Sequence, residues 1–147
     1  MTTGAAAVAV RISPYSDAHF SGVDALWKEA FPDDPPRNQA AAAIPEKLAA
    51  QPELLLVALD GDAVVGTAMA GYDGHRGWLY SVAVRRSHRR RGIGAMLIRE
   101  AEARLRALGC GKVNLQVRTT NLAVVAFYET LGFEVEERVS LGKRLPG

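Results

Sequence analysis

The chain has 147 residues, 48% hydrophobic, 23% charged and 7% aromatic, which suits one compact core and excludes a disordered, collagenous or disulfide-stapled chain. Eighteen Lys and Arg against 16 Asp and Glu leave +2, too near neutral for the whole surface to draw nucleic acid or an anionic membrane, so any strong charge effect has to be local. The single cysteine, Cys110, can neither close an intrachain bridge nor build a thiolate-rich metal site, and it points to a reducing compartment.

The opening MTTGAAAVAVRIS has no basic residue ahead of its apolar run, so it predicts a first strand over 8–13 rather than an export signal. Ser16 or Asp17 can cap a helix carrying Phe20, Val23, Leu26, Trp27 and Ala30 at helical spacing, stopped by FPDDPPR at 31–37. From Asn38 or Gln39 an alanine-rich stretch runs to Ala50; Pro45 predicts two short pieces or one kinked helix. Residues 54–59 and 63–72 are β-rich runs joined by DGD, and YDGHRG turns the chain into a third strand, Trp78 to Val84. The run LLLVAL at 54–59 falls far short of the roughly 20 apolar residues that span a bilayer. A cytoplasmic protein with no membrane partner is expected.

The period then changes. Ile93, Leu97, Ala101, Leu105 and Leu108 form the stripe of a long helix, with Glu100–Arg104 and Glu102–Arg106 as i,i+4 pairs and Gly109 as its left-handed end. KVNLQVRT at 112–119 alternates as a strand, Asn121 opens a helix ended by Gly132, and a last strand is expected from Phe133 to Val139. The predicted fold is mixed α/β in the order β-α-α-β-β-β-α-β-α-β, a mostly antiparallel sheet flanked by helices, in one domain over 1–147.

The stretch SVAVRRSHRRRGIGAML at 81–97 sends a strand through a basic loop into the long helix. Gly92 and Gly94 carry no side chain to obstruct an anion, and the first N–H groups of a helix point outward with the positive end of its dipole. Arg85, Arg86, Arg89, Arg90 and Arg91 surround that point. Each charge-assisted bond to a phosphate contributes about 1.5–3 kcal/mol, more than the roughly 0.3–1 kcal/mol of the dipole. The bland alternative is a solvated basic loop. Neither a dinucleotide fingerprint nor a nucleoside-triphosphate loop fits, because the preceding strand is antiparallel and G-I-G-A-M-L lacks both a third glycine and G-K-[ST]. No aromatic lies between Arg85 and Arg118, which argues against a nucleic-acid surface.

Two ordered motifs resemble the GNAT N-acetyltransferases. The signature Q/R-x-x-G-x-G/A is similar to Arg89-Arg90-Arg91-Gly92-Ile93-Gly94, and NLAVVAFYETLGF resembles the family's N-x-x-A-x-x-(L/F)-Y-x-x-x-G-F through Asn121, Phe127, Tyr128, Gly132 and Phe133, with Val124 in place of an alanine. Within the family the chain looks most like small YpeA-like bacterial members, through AGYDGHRGW and SLGKRL, and is also similar to the ribosomal-protein-alanine N-acetyltransferase branch. The resemblance implies the acyl-CoA N-acyltransferase fold and acetyl-CoA as co-substrate. Its pantetheine would lie along Val82, Ala83 and Val84, and its pyrophosphate on Arg89, Arg90, Arg91, Gly92, Ile93, Gly94 and Ala95. Asn121 would reach the pantetheine arm, although an N-cap alone is an equal reading, and Tyr128 would lie near the sulfur as the catalytic residue.

The implied reaction moves acetyl directly to a primary amine of a small molecule or peptide, its identity unknown. For carbonyl support, a strand N–H around Val82 serves if a bulge splays this strand from the one at 112–119. The general base is open. Gln116 stands where the ribosomal-protein branch has glutamate, which leaves Asp73, His75 and Tyr80, with a water relay or an amine arriving neutral equally open; Tyr80 shares strand parity with Val82 and Val84, and YDGHRG is first of all a turn. His19, His75 and His88 lie far apart, so no metal is expected. Two rivals are a non-catalytic acyl-CoA sensor on the same fold and a nucleic-acid-binding module using the arginine loop. Nucleic acid is not the expected partner, and a homodimer is left open.

Overall fold

A computed structural model describes residues 9–147. Two compact units follow one another along the chain, the first ending at Leu115 and the second covering Gln116–Gly147. The first unit holds a five-stranded sheet in the order β1-β2-β3-β4-β5: Val10–Pro14, Leu55–Asp60, Ala63–Tyr72, Gly77–Val84 and Val113–Asn114. The first four strands pair antiparallel; β5 joins β4 in parallel. Residue 8, the predicted start of β1, lies outside the described residues.

β2 is buried from Leu55 to Leu59 with no polar break, as a strand covered on both faces must be. Leu55, Val57 and Leu59 pack with Val23, Leu26 and Trp27 of α1 (Phe20–Ala30) and with Ala40 and Ile44 of α2 (Ala40–Ala50). The alternate residues turn to α3 (Ile93–Ala107): a Cβ on Gly66 would stand 2.9 Å from the Leu97 side chain and 3.3 Å from Ala58. Glycine at 66 is what lets α3 lie this close to the sheet.

α2 is one continuous helix despite Pro45. Pro45 and Ala41, whose carbonyl loses its usual donor, are both exposed, so water can satisfy that oxygen. The end of α2 is tied to β3 by side chains that replace strand partners. The Gln51 amide accepts the Tyr72 N–H at 3.2 Å and donates to the Tyr72 carbonyl at 3.1 Å, while Lys47 donates to the Ala70 carbonyl. Burial lowers the Lys47 pKa.

Two sequence expectations are corrected. The strand predicted over 112–119 is ordered as a strand only at Val113–Asn114, opposite Gly77 and Trp78. The segment from Phe133 to Val139 is not a strand. Alternation makes a strand only where a neighbour offers a ladder, and no ladder is present in the second unit among the described residues. That unit is built on α4 (Leu122–Thr130), closed by Gly132 in the left-handed conformation at φ 94°, and the Gln116 amide donates to the Ser140 hydroxyl.

Candidate active site

Between Tyr80 and Ala83 the β3–β4 register slips: Tyr80 lies opposite Met69 and Ala83 opposite Thr67, so Ser81 and Val82 together face Ala68. Ser81 takes φ 47°, a left-handed conformation that side chains other than glycine seldom adopt. Its carbonyl accepts the Thr67 hydroxyl at 2.9 Å, and that hydroxyl accepts the Trp27 indole N–H at 2.9 Å. The bulge that the sequence left open therefore exists, set against β3. Pairing with β5 stops at Trp78, so β4 from Leu79 to Val84 has no β5 partner.

The bulge overturns the expected strand parity. Thr67 and Met69 share a face, so their partners Ala83 and Tyr80 do too, on the α1–α2 side. Val82 and Val84 face the α3 side instead. Tyr80 is half exposed, and burial with the nearby Asp73 charge raises its pKa. A Cβ on Gly71 would stand 3.6 Å from the Tyr80 ring and 3.7 Å from both Gln51 Oε1 and Lys47 Nζ, which places these three around one bare backbone position.

Beyond Val84 the loop enters α3 through Gly92, its N-cap, at φ 77°. Nothing lies within 4 Å of where a Cβ would stand there, so glycine answers to the backbone angle and the approach stays open. No side chain caps this helix and no acid lies in its first turn. Its first bond runs from the Met96 N–H to the Gly92 carbonyl at 3.0 Å, leaving the amides of Ile93, Gly94 and Ala95 ahead of it.

The arginines divide into two groups. Arg85 turns inward, its Nε donating to the Val64 carbonyl at 2.9 Å, and Glu29 accepts the Arg86 main-chain N–H at 3.0 Å. His88 joins them as an anchor through Asp60 at 2.9 Å. Arg89 donates through Nε to the Val84 carbonyl at 3.3 Å, keeping its terminal nitrogens available. Arg90 and Arg91 are exposed, with no ion pair or side-chain hydrogen bond among the described residues. Sequence had set all five around an anion; Val64 and Glu29, distant in the chain, take Arg85 out of that role.

In the second unit Asn121 occupies the N-cap of α4, yet its side chain makes no capping bond. Tyr128 is 8% exposed, edge-on to Phe127 at 5.1 Å and to Phe133 at 5.5 Å. Burial pushes its pKa up to about 12. Of the base candidates, Asp73 Oδ1 accepts the N–H groups of His75 and Arg76 at 2.8 Å each, and these bonds lower its pKa. It is a turn residue first. Sequence reasoning passed over Trp27 and Thr67, although a threonine amid apolar neighbours in a strand and a helical tryptophan on the apolar stripe each ask where their polar atoms go. No group of three or more His, Cys, Asp and Glu suited to a metal occurs among the described residues, and no described helix is long and apolar enough to cross a membrane.

The open, uncapped start of α3 thus follows a bulged strand in the chain. The profile of the Acetyltransferase (GNAT) family matches residues 20–133, and the chain belongs to that family of acetyltransferases. An acetyltransferase of Yersinia enterocolitica is 41% identical over 136 residues, 92% of this chain and 96% of that one. Among solved structures, Ard1 from Thermoplasma volcanium superimposes with a TM-score of 0.79 at 25% identity, over 88% of this chain and 85% of its own. AAC(6')-Iy, solved with the bisubstrate analogue CoA-S-monomethyl-acetylneamine, does so at 0.78 and 23% identity, over 93% and 99%, and shares the fold.

Proposed function

We propose that the chain uses acetyl-CoA as donor and transfers the acetyl group directly to a primary amine of a small molecule or peptide, as a single catalytic domain in the cytoplasm. The observation that carries this is the uncapped start of α3, where open Gly92 directly follows the exposed Arg90 and Arg91. The amides of Ile93, Gly94 and Ala95 with Arg89, Arg90 and Arg91 hold the diphosphate. The edge of β4 at Val82, Ala83 and Val84 binds the extended pantetheine amides as an added strand would. The bulged main chain around Val82 supports the carbonyl oxygen. The motif assigns Asn121 to the pantetheine arm and Tyr128 to the departing sulfur.

Tyr128 serves as a hydrogen-bond donor rather than a proton source. With its pKa raised to about 12, handing the proton outright to a thiolate whose acid has pKa near 8.5 is uphill by about 5 kcal/mol. An acceptor amine of pKa near 10.4 is neutral about once in 2,500 molecules at pH 7, a deficit of roughly 4.6 kcal/mol, against about 1.4 kcal/mol for an N-terminal amine near 8. With Gln116 an amide and Asp73 held in a turn, acceptors that arrive neutral suit this site better.

The test is thiol release from acetyl-CoA over three amines: a peptide with a free N-terminal alanine, a lysine peptide blocked at its terminus, and an aminoglycoside. Faster release with at least one amine, together with thermal stabilisation by acetyl-CoA, supports the proposal. Stabilisation by an oligonucleotide but not by acetyl-CoA overturns it.

A further inference from the structure

We propose that Trp27 and Thr67 are positioning residues for acetyl transfer: their hydrogen-bond relay holds the Ser81 carbonyl and so maintains the β4 bulge that presents the Val82 edge to the donor. The proposal rests on the donor site described above. Thr67 is the one polar side chain fully buried, at 0% exposure, among the described residues, so it does not touch substrate. An indole N–H only donates, so the Thr67 oxygen must accept from it, and the single hydroxyl proton is then directed to the Ser81 carbonyl. Threonine adds a stiff χ1, which keeps this aim.

Ser81 is a place where such aim matters. Its left-handed φ of 47° is disfavoured for serine, and its carbonyl falls where the β3–β4 register slips. Remove the hydroxyl, and that carbonyl is left with an apolar neighbour, which favours Ser81 returning to an extended conformation and the bulge closing or sliding. Closing the bulge would restore the strand parity and carry Val82 and Val84 onto the face of Tyr80. The diphosphate cradle, by contrast, is set by Gly92 and the arginine loop, outside the relay. Loss of the relay is thus expected to show in turnover far more than in donor binding.

Three variants test this. Thr67→Val keeps the shape and removes the hydroxyl, Thr67→Ser restores it, and Trp27→Phe removes the N–H that orients it. With acetyl-CoA and the best amine of the panel, Thr67→Val should lower kcat about tenfold or more while KM for acetyl-CoA stays within about threefold. Thr67→Ser should recover most of the loss, and Trp27→Phe should lower kcat severalfold. A crystal structure of Thr67→Val should show Ser81 out of the left-handed region. Unchanged kcat in folded Thr67→Val, or in Trp27→Phe if Thr67→Val does not fold, overturns the proposal, as does a Ser81 still at positive φ in Thr67→Val. A wild-type chain that releases no thiol with any amine counts against the function proposed above; the backbone of Ser81 in Thr67→Val then decides whether the relay holds the bulge.

Discussion

Tyr128 carries the sharpest consequence of burial on a single side chain. Because its folded pKa is raised from 10.0 to about 12, the neutral hydroxyl contributes stability that is fully present below pH 10 and is lost as pH rises through about 12. That rise corresponds to about 2–3 kcal/mol. An ultraviolet titration should show one of the four tyrosines ionising near pH 12, and Tyr128→Phe should abolish that step. In the role proposed for Tyr128, the same variant should lower kcat about tenfold with little change in KM for acetyl-CoA, since a bond to a departing sulfur strengthens only as charge develops there. Two arginines in one short loop should behave oppositely. Arg91→Ala should weaken acetyl-CoA binding about tenfold or more without moving the melting temperature, whereas Arg85→Ala, which strips a donor from the Val64 carbonyl, should lower stability by about 1 kcal/mol or more. Calorimetry with acetyl-CoA and thermal melts of both variants separate the two roles.

At the scale of elements, α2 and α3 show how a local rule is kept or bent. Gly92 at φ 77° faces open space, so Gly92→Ala meets no clash and pays only backbone strain, about 1 kcal/mol by urea unfolding, with a weaker grip on acetyl-CoA as the helix start shifts. Pro45 sits inside α2, where it removes the N–H that the exposed Ala41 carbonyl would otherwise accept. Pro45→Ala is therefore expected to stabilise the protein by about 1–3 kcal/mol, read from the same unfolding curves. The third element, β5, is short: it pairs with β4 only at Gly77 and Trp78, ahead of the bulge.

For the whole molecule, a net charge of +2 makes long-range attraction weak, so the proposed donor binding rests on the few exposed guanidinium groups at the start of α3. Raising salt from about 0.1 M to 1 M shortens the screening length from about 10 Å to about 3 Å. KM for acetyl-CoA should rise severalfold over that range while kcat holds, which steady-state kinetics at the two salt levels would show. Periodicity, punctuation and motif spacing were enough to establish the order of the helices and of β1 to β4, the glycine-led start of α3 and the family, because each is written within a turn or two of chain. Only the tertiary structure decided that Arg85 and His88 are anchors, that Tyr80 and Val82 face opposite sides, and that Trp27, Thr67 and Ser81 form one chain of hydrogen bonds. Those facts depend on which strand residue stands opposite which, and on contacts across 14 and 40 positions of sequence, where no local pattern carries the information.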